Sequence, residues 1–283
     1  MTSTDRAEVV RYAAFCDGPS GGNPAGVVLD ATGLTDADMQ RIAAQVGYSE
    51  TAFLLPGPDP ESPAIRYFSP IAEVLFCGHA TIATAIAHAE RFGTGVLRLG
   101  TAAGVVAVRT EATPTGVLAT LTSVEPSLSL IAEPDRRELL DALRLDAVDL
   151  DAELPIRIAY AGAHHPIIAL VSRHRLATLD YRYEALAALM ARRAWTTVAV
   201  IHRESPAVFH ARNPFPPGGI VEDPATGAAA AALGGYLRML GLVTAPTGIT
   251  VHQGTEMGRA SLLQVQIPAT GGIAVSGRAV GLP

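Results

Sequence analysis

Ile220-Val221-Glu222-Asp223-Pro224-Ala225-Thr226-Gly227-Ala228 runs directly into the alanine-rich segment Ala229-Ala230-Ala231-Ala232-Leu233. Acidic residues, a proline and a glycine ahead of a small-residue run mark the mouth of a helix. The proline is tolerated in a first turn, where its missing N–H has no intrahelical partner, and the amides of Thr226 and Gly227 then lie near the positive end of the helix dipole. Such an end can hold a carboxylate with backbone N–H groups alone. A twin stands 145 residues earlier, where Cys77-Gly78-His79-Ala80-Thr81-Ile82-Ala83-Thr84-Ala85 again opens a small-residue helix. Two helix mouths of one design predict one site built from two halves.

The elements around the two mouths also recur in one order, the signature of an internal duplication. Val10–Phe15 recurs as Ile156–Ala161, and the strand after Pro24 as the strand after Pro166. The helical stripe Met39, Ile42, Ala43 and Val46 recurs as Tyr183, Leu186, Ala187 and Met190, and Pro70 as Pro214, all at offsets between 142 and 146. In the first copy Thr35 with Asp38 forms a capping box and Gly47 can end the helix. The spacing predicts two similar α+β domains of short, mostly antiparallel strands over residues 1–125 and 150–270, with a connection over 126–149. The tail 271–283 has no first-half counterpart and is expected to return to the first domain.

Composition removes several classes of function. The net charge of -6, with 21 basic residues that are all arginine and scattered, disfavours nucleic acid. Without a lysine there is no lysine Schiff base and no P-loop. Gly18, Gly21 and Gly22 do not make a dinucleotide fingerprint, so no nucleotide cofactor is expected. Cys16 and Cys77 offer neither a disulfide framework nor metal spacing, and no metal is expected. No apolar run approaches the roughly 20 residues that span a bilayer, and the polar start Met1–Glu8 is unlike a signal peptide, which predicts a cytoplasmic protein without membrane contact.

The repeat is informative where it fails. Read without gaps, Glu50 maps onto Ala194, His79 onto Pro224 and Gly78 onto Asp223, so the acid–base groups of the two halves differ. If both helix mouths face one cleft, it contains Glu50, His79 and Asp223 with backbone amides from each side. Taken singly, Glu50 reads as a solvated loop carboxylate, Asp223 as a helix cap, His79 as a helix-end histidine and Glu222 as a solvated first-turn acid.

Gly22-Asn23-Pro24-Ala25-Gly26-Val27-Val28, Ser49-Glu50-Thr51, Phe68-Ser69-Pro70 with Glu73, the two helix-mouth motifs, and Gln253-Gly254 through Met257-Gly258-Arg259 cover nearly the whole chain. In this order they resemble the PhzF family of phenazine-biosynthesis isomerase-like proteins, which share the diaminopimelate epimerase fold. The resemblance implies two domains, each a mostly antiparallel sheet wrapped around a central helix, with the site in the cleft and a homodimer as assembly. It implies acid–base catalysis without cofactor, in which Glu50 moves the proton, His79 and Asp223 are its partners, and Asn23, Gly78, Thr226, Gly227 and Ala228 surround the substrate. Ala228 stands where the family usually has serine, so one side-chain hydrogen bond to substrate is missing. Cys77 occupies the place of one thiol of the two-cysteine epimerases, while Asp223-Pro224 stand where the other would be, and Cys77 then reads as a small buried filler beside Gly78. The function expected is a cofactor-independent isomerase of a small carboxylate. The alternatives are a racemase or epimerase that uses Cys77, and a non-catalytic small-molecule-binding protein.

Overall fold

The computed structural model describes residues 7–18, 20–59, 62–102 and 104–283. Runs rich in Val, Thr and Ala, broken by glycine and proline, become short strands, and the two alanine-rich segments become the two longest helices among the described residues. The first half reads β1 (Val10–Ala14), β2 (Asn23–Val28), α1 (Asp36–Val46), β3 (Glu50–Asp59), β4 (Ser62–Phe68), β5 (Glu73–Val74), α2 (Gly78–Phe92), β6 (Val96–Thr101), β7 (Gly104–Thr113) and β8 (Gly116–Thr122). There follow β9 (Ser127–Ser129), α3 (Glu133–Ala142), β10 (Arg157–Tyr160), β11 (His164–Ala169), α4 (Arg173–Ala177), α5 (Tyr183–Arg193), β12 (Ala199–Ser205), β13 (Val208–Pro214), β14 (Glu222–Asp223), α6 (Gly227–Met239), β15 (Thr247–Gln253), β16 (Ser261–Ile267) and β17 (Ala274–Leu282). No helix among the described residues is long and apolar enough to cross a membrane.

The chain divides into two compact units, one reaching to Thr122 and including Ser276–Pro283, the other Ser123–Val275. In the first, β1 pairs with β2, and the ladder continues through β3, β4, β6, β7 and β8 to β17, which pairs back onto β1 and closes a ring. Closure removes the open edges that an exposed sheet would present. Helix α2 packs against β1, β2, β3, β7 and β8, and its residues from His79 to Ala87 are all buried. A helix apolar on every side must be buried, and alanine and threonine keep it thin enough for strands to pack around it. Outside the ring, Met39, Ile42 and Ala43 of α1 pack on Val28, Phe53 and Phe68. The α1 ends are as the sequence predicts: Thr35 and Asp38 form the capping box and Gly47 closes the helix in the left-handed region at φ 71°.

The second unit repeats the senses of pairing. β10–β11 and β1–β2 are antiparallel, β11–β12 and β2–β3 parallel, β12–β13 and β3–β4 antiparallel, β13–β15 and β4–β6 parallel, β15–β16 and β6–β7 antiparallel. Helix α6 packs against β9, β10, β11 and β16. Residues 126–149, read in the sequence as a connection, include α3, whose Leu139 and Leu140 share one core with Leu186, Leu189 and Met190 of α5. Strand β6 escapes the sequence reading because Val96 on its exposed side is as apolar as Leu97 and Leu99 on its more buried side, which blurs the alternation in the sequence.

The structure corrects the gapless alignment of the two halves. Ala194 ends α5 in the left-handed region at φ 52°, the place that Gly47 takes in α1, so the counterpart of Glu50 three residues on is Thr197. Helices α2 and α6 begin at Gly78 and Gly227 with Cys77 and Thr226 as N-caps. The counterpart of His79 is therefore Ala228, not Pro224, and Thr226, not Asp223, stands opposite Cys77. The shared Ala-Thr dipeptides, Ala80-Thr81 and Ala225-Thr226, mislead because one lies inside its helix and the other before it.

Candidate active site

Glu50 is the first residue of β3 and His79 the second residue of α2, and the fold of the first unit brings them together. His79 Nε2 lies 3.3 Å from Glu50 Oε2, with the two side chains 7% and 12% exposed. The same nitrogen is 3.4 Å from Ser49 Oγ. Cys77 Sγ lies 3.3 Å from His79 Nδ1 and 3.8 Å from Nε2, so the thiol is a partner of the imidazole and not the inert filler read from the sequence. Beneath this group Thr81 Oγ1 donates to the Cys77 carbonyl at 2.6 Å and is 2.6 Å from the Tyr67 hydroxyl, whose pKa burial pushes well above its ordinary value. These two bonds fix the first turn of α2. Asn23 is buried at the start of β2, two residues before Ala25, the register partner of Glu50.

The N-cap residues of α2 and α6, Cys77 and Thr226, make no capping hydrogen bond with their side chains. The first-turn amides, on Gly78 and His79 in one helix and on Gly227 and Ala228 in the other, are groups that a helix leaves for an outside acceptor. This contrasts with α1 and α4, whose N-termini are capped by Thr35 and Ser172.

In the second unit Asp223 and Thr226 come together: Thr226 Oγ1 donates to Asp223 Oδ2 at 2.6 Å, which is why it does not cap its own helix. Gln253 holds both in place. Its Nε2 donates to the Asp223 carbonyl at 2.6 Å and to Thr226 Oγ1 at 3.0 Å, and its Oε1 accepts from the Thr226 amide at 3.1 Å. Gly254 follows in the left-handed region at φ 76°, where an added Cβ would lie 2.7 Å from the Pro224 carbonyl oxygen; only glycine lets the two loops approach so closely. The role of Gln253 has no sequence signal beyond its place in a motif, because its partners lie about thirty residues away.

Glu222 is a correction. It is buried, not solvated, and Arg212 clamps it through Nε at 3.0 Å and through Nη2. Arg212 also donates to the carbonyls of Leu176, Ala177 and Leu179, so the pair ties β13, β14 and α4 together. Behind Asp223, its register partner Asn213 accepts from Thr197 Oγ1 at 3.0 Å, and Thr197 lies 2.9 Å from His165 Nδ1. Burial lowers the pKa of His165 to about 4, leaving the ring neutral. Among the described residues the one grouping of metal-ligand atoms is Glu50, Cys77 and His79.

Comparisons with known proteins agree with this architecture. The uncharacterized isomerase YfhB of Bacillus subtilis is 32% identical over 278 residues, covering 94% of this chain and 92% of its own. The trans-2,3-dihydro-3-hydroxyanthranilate isomerase of Pseudomonas chlororaphis is 33% identical over 250 residues, 88% of this chain and 86% of its own. The crystal structure of a PhzF-family phenazine biosynthesis protein from Bacillus anthracis superposes with a TM-score of 0.85 at 28% identity, covering 98% of both chains. The family described as phenazine biosynthesis-like protein, PhzC-PhzF, matches residues 12–282, and the chain belongs to that family.

Proposed function

We propose that the protein is a cofactor-independent isomerase that shifts a proton within a small carboxylate substrate. The observation that carries the reading is the Glu50–His79 pair, 3.3 Å apart and nearly buried at the mouth of α2, whose N-cap residue makes no side-chain cap. A carboxylate and an imidazole in contact can share and pass a proton. In this reading Glu50 removes a proton from an activated carbon and returns it elsewhere on the same face, while His79 sets its protonation and positions an amine or hydroxyl of the substrate. By family resemblance Asp223, Thr226, Gly227 and Ala228 belong to the same proposal as substrate-binding groups, and the matched pairing of strands supports an origin by duplication. Asn23 completes the set on the first unit. Homodimeric assembly belongs to the same proposal by family resemblance.

A second reading has a specific observation behind it. Cys77 Sγ in contact with His79 could serve as a base, as in a thiol-dependent racemase of this fold. Thr226 at the matching place of the second unit offers a hydroxyl, not a thiol, which favours the one-carboxylate reading.

The experiment is turnover of small cyclic hydroxy- and amino-carboxylates, beginning with trans-2,3-dihydro-3-hydroxyanthranilate, the substrate in the name of the Pseudomonas relative. Glu50→Gln should lower kcat by on the order of 10²–10⁴ with the fold intact. Unchanged turnover in that variant would remove Glu50 from the reaction.

A further inference from the structure

We propose that Glu50, Cys77 and His79 form a three-ligand site for a thiophilic divalent cation of the zinc type, with a fourth position open to water or an anion. One carboxylate oxygen, one sulfur and one imidazole nitrogen lie within 4.8 Å of one another, although the three residues have no metal spacing in the chain. Two of the three distances lie near the edges of a tetrahedron. Bond lengths of about 2.1 Å to nitrogen and oxygen and about 2.3 Å to sulfur place a nitrogen and an oxygen ligand about 3.4 Å apart, and a nitrogen and a sulfur about 3.6 Å apart. His79 Nε2 is 3.3 Å from Glu50 Oε2 and 3.8 Å from Cys77 Sγ, and because the sulfur is nearer still to Nδ1, at 3.3 Å, the imidazole turns to aim Nε2 at the ion while Cys77 and Glu50, within 4.8 Å of each other, draw together.

The donor set selects the metal. Thiolate and imidazole suit Zn²⁺ and its softer neighbours, whereas Mg²⁺ and Ca²⁺ prefer oxygen. A thiolate and a carboxylate neutralise the dication, which matters at a site where both Glu50 and His79 are largely buried. The α2 N-terminus opposes a bare cation but favours the thiolate that binds it. Binding exchanges the thiol proton for the metal: the S–H bond breaks, the sulfur–metal bond forms, and the proton goes to solvent without any change of oxidation state. The site rests on this geometry and not on the isomerase reading. If both hold, the cation and the proton shift compete for Glu50, and the metal is an inhibitor.

The test is calorimetric titration of the full chain with Zn²⁺ in buffers of different ionisation enthalpy, with Co²⁺ as a spectroscopic stand-in. The expected result is one equivalent bound with proton release, and a thiolate-to-cobalt charge-transfer band. Cys77→Ser and Glu50→Gln should each weaken binding by at least about 100-fold, since loss of a mere supporting partner already costs 10–100-fold. Cys16→Ser should leave binding unchanged, because burial pushes that thiol's pKa up and the grouped ligand atoms do not include it. Glu50→Gln is close to isosteric and serves should Cys77→Ser misfold. Absence of saturable one-to-one binding, or binding that survives both Cys77→Ser and Glu50→Gln, would overturn the proposal.

Discussion

Cys77 divides the two chemical readings at the scale of single residues. Inverting a stereocentre needs a base on one face and an acid on the other, whereas a one-face proton shift through Glu50 needs no thiol. Cys77→Ala removes one hydrogen-bonding neighbour of His79 and leaves Glu50 and Ser49 beside it. The variant should keep at least about a tenth of the activity, a loss of no more than roughly 1.4 kcal/mol of transition-state stabilisation. A thousandfold fall in kcat/KM, with circular dichroism unchanged, would promote a two-base mechanism with Cys77 as one base. In the second unit Gln253 has a structural role. Gln253→Leu takes partners from the Thr226 amide, Thr226 Oγ1 and the Asp223 carbonyl at a site only 2% exposed. Buried groups left unpaired cost about 1–3 kcal/mol each, so urea unfolding should register a loss of at least about 2 kcal/mol. A neutral result would mean that Asp223 and Thr226 hold their positions without it.

Among the elements, β11 carries a pH response through His165. His165 has an ordinary pKa of 6.5 and a folded value of about 4, lowered chiefly by burial. Between these values the unfolded chain binds a proton that the folded chain refuses, so stability is full above about pH 6.5 and declines as pH falls toward 4. The loss over that window is on the order of 3 kcal/mol. His165→Asn should flatten the dependence of unfolding free energy on pH between 6.5 and 4 relative to the parent; an equal slope in both proteins would show that other groups carry it. Elements were legible in the sequence where local chemistry decides them. The capping box and glycine stop of α1 and the small-residue helices α2 and α6 follow from residues a few positions apart. What was not legible depends on partners far along the chain. Glu222 looks solvated until β13 brings Arg212 beside it, and Ala194 does not advertise a left-handed cap that glycine usually fills. The Glu50–His79 pair was anticipated through resemblance, but the contact of Cys77 with His79 was not, because a cap residue two positions before a histidine can point either way.

For the whole molecule, closure of the first unit depends on the last strand. β17 pairs with β1 and β8, and without it both would become open edges. Removal of residues 276–283 should therefore yield an aggregating chain. Gly277→Ala should act in the same direction more mildly, since its new methyl carbon would lie 2.2 Å from Cδ1 of the buried Phe15. A monomeric, cooperatively unfolding truncation would show that the ring is not needed for the first unit. The ring in turn holds the buried helix whose mouth presents His79 to Glu50, and the proposed proton transfer through one carboxylate depends on that pairing. Its most direct test is proton NMR of a turned-over carboxylate in D₂O, with the wild-type chain against Glu50→Gln. The account predicts deuterium incorporation at the carbon that receives the proton in the wild-type reaction and at least about a hundredfold slower incorporation in the variant. Exchange at the same rate in both would contradict it.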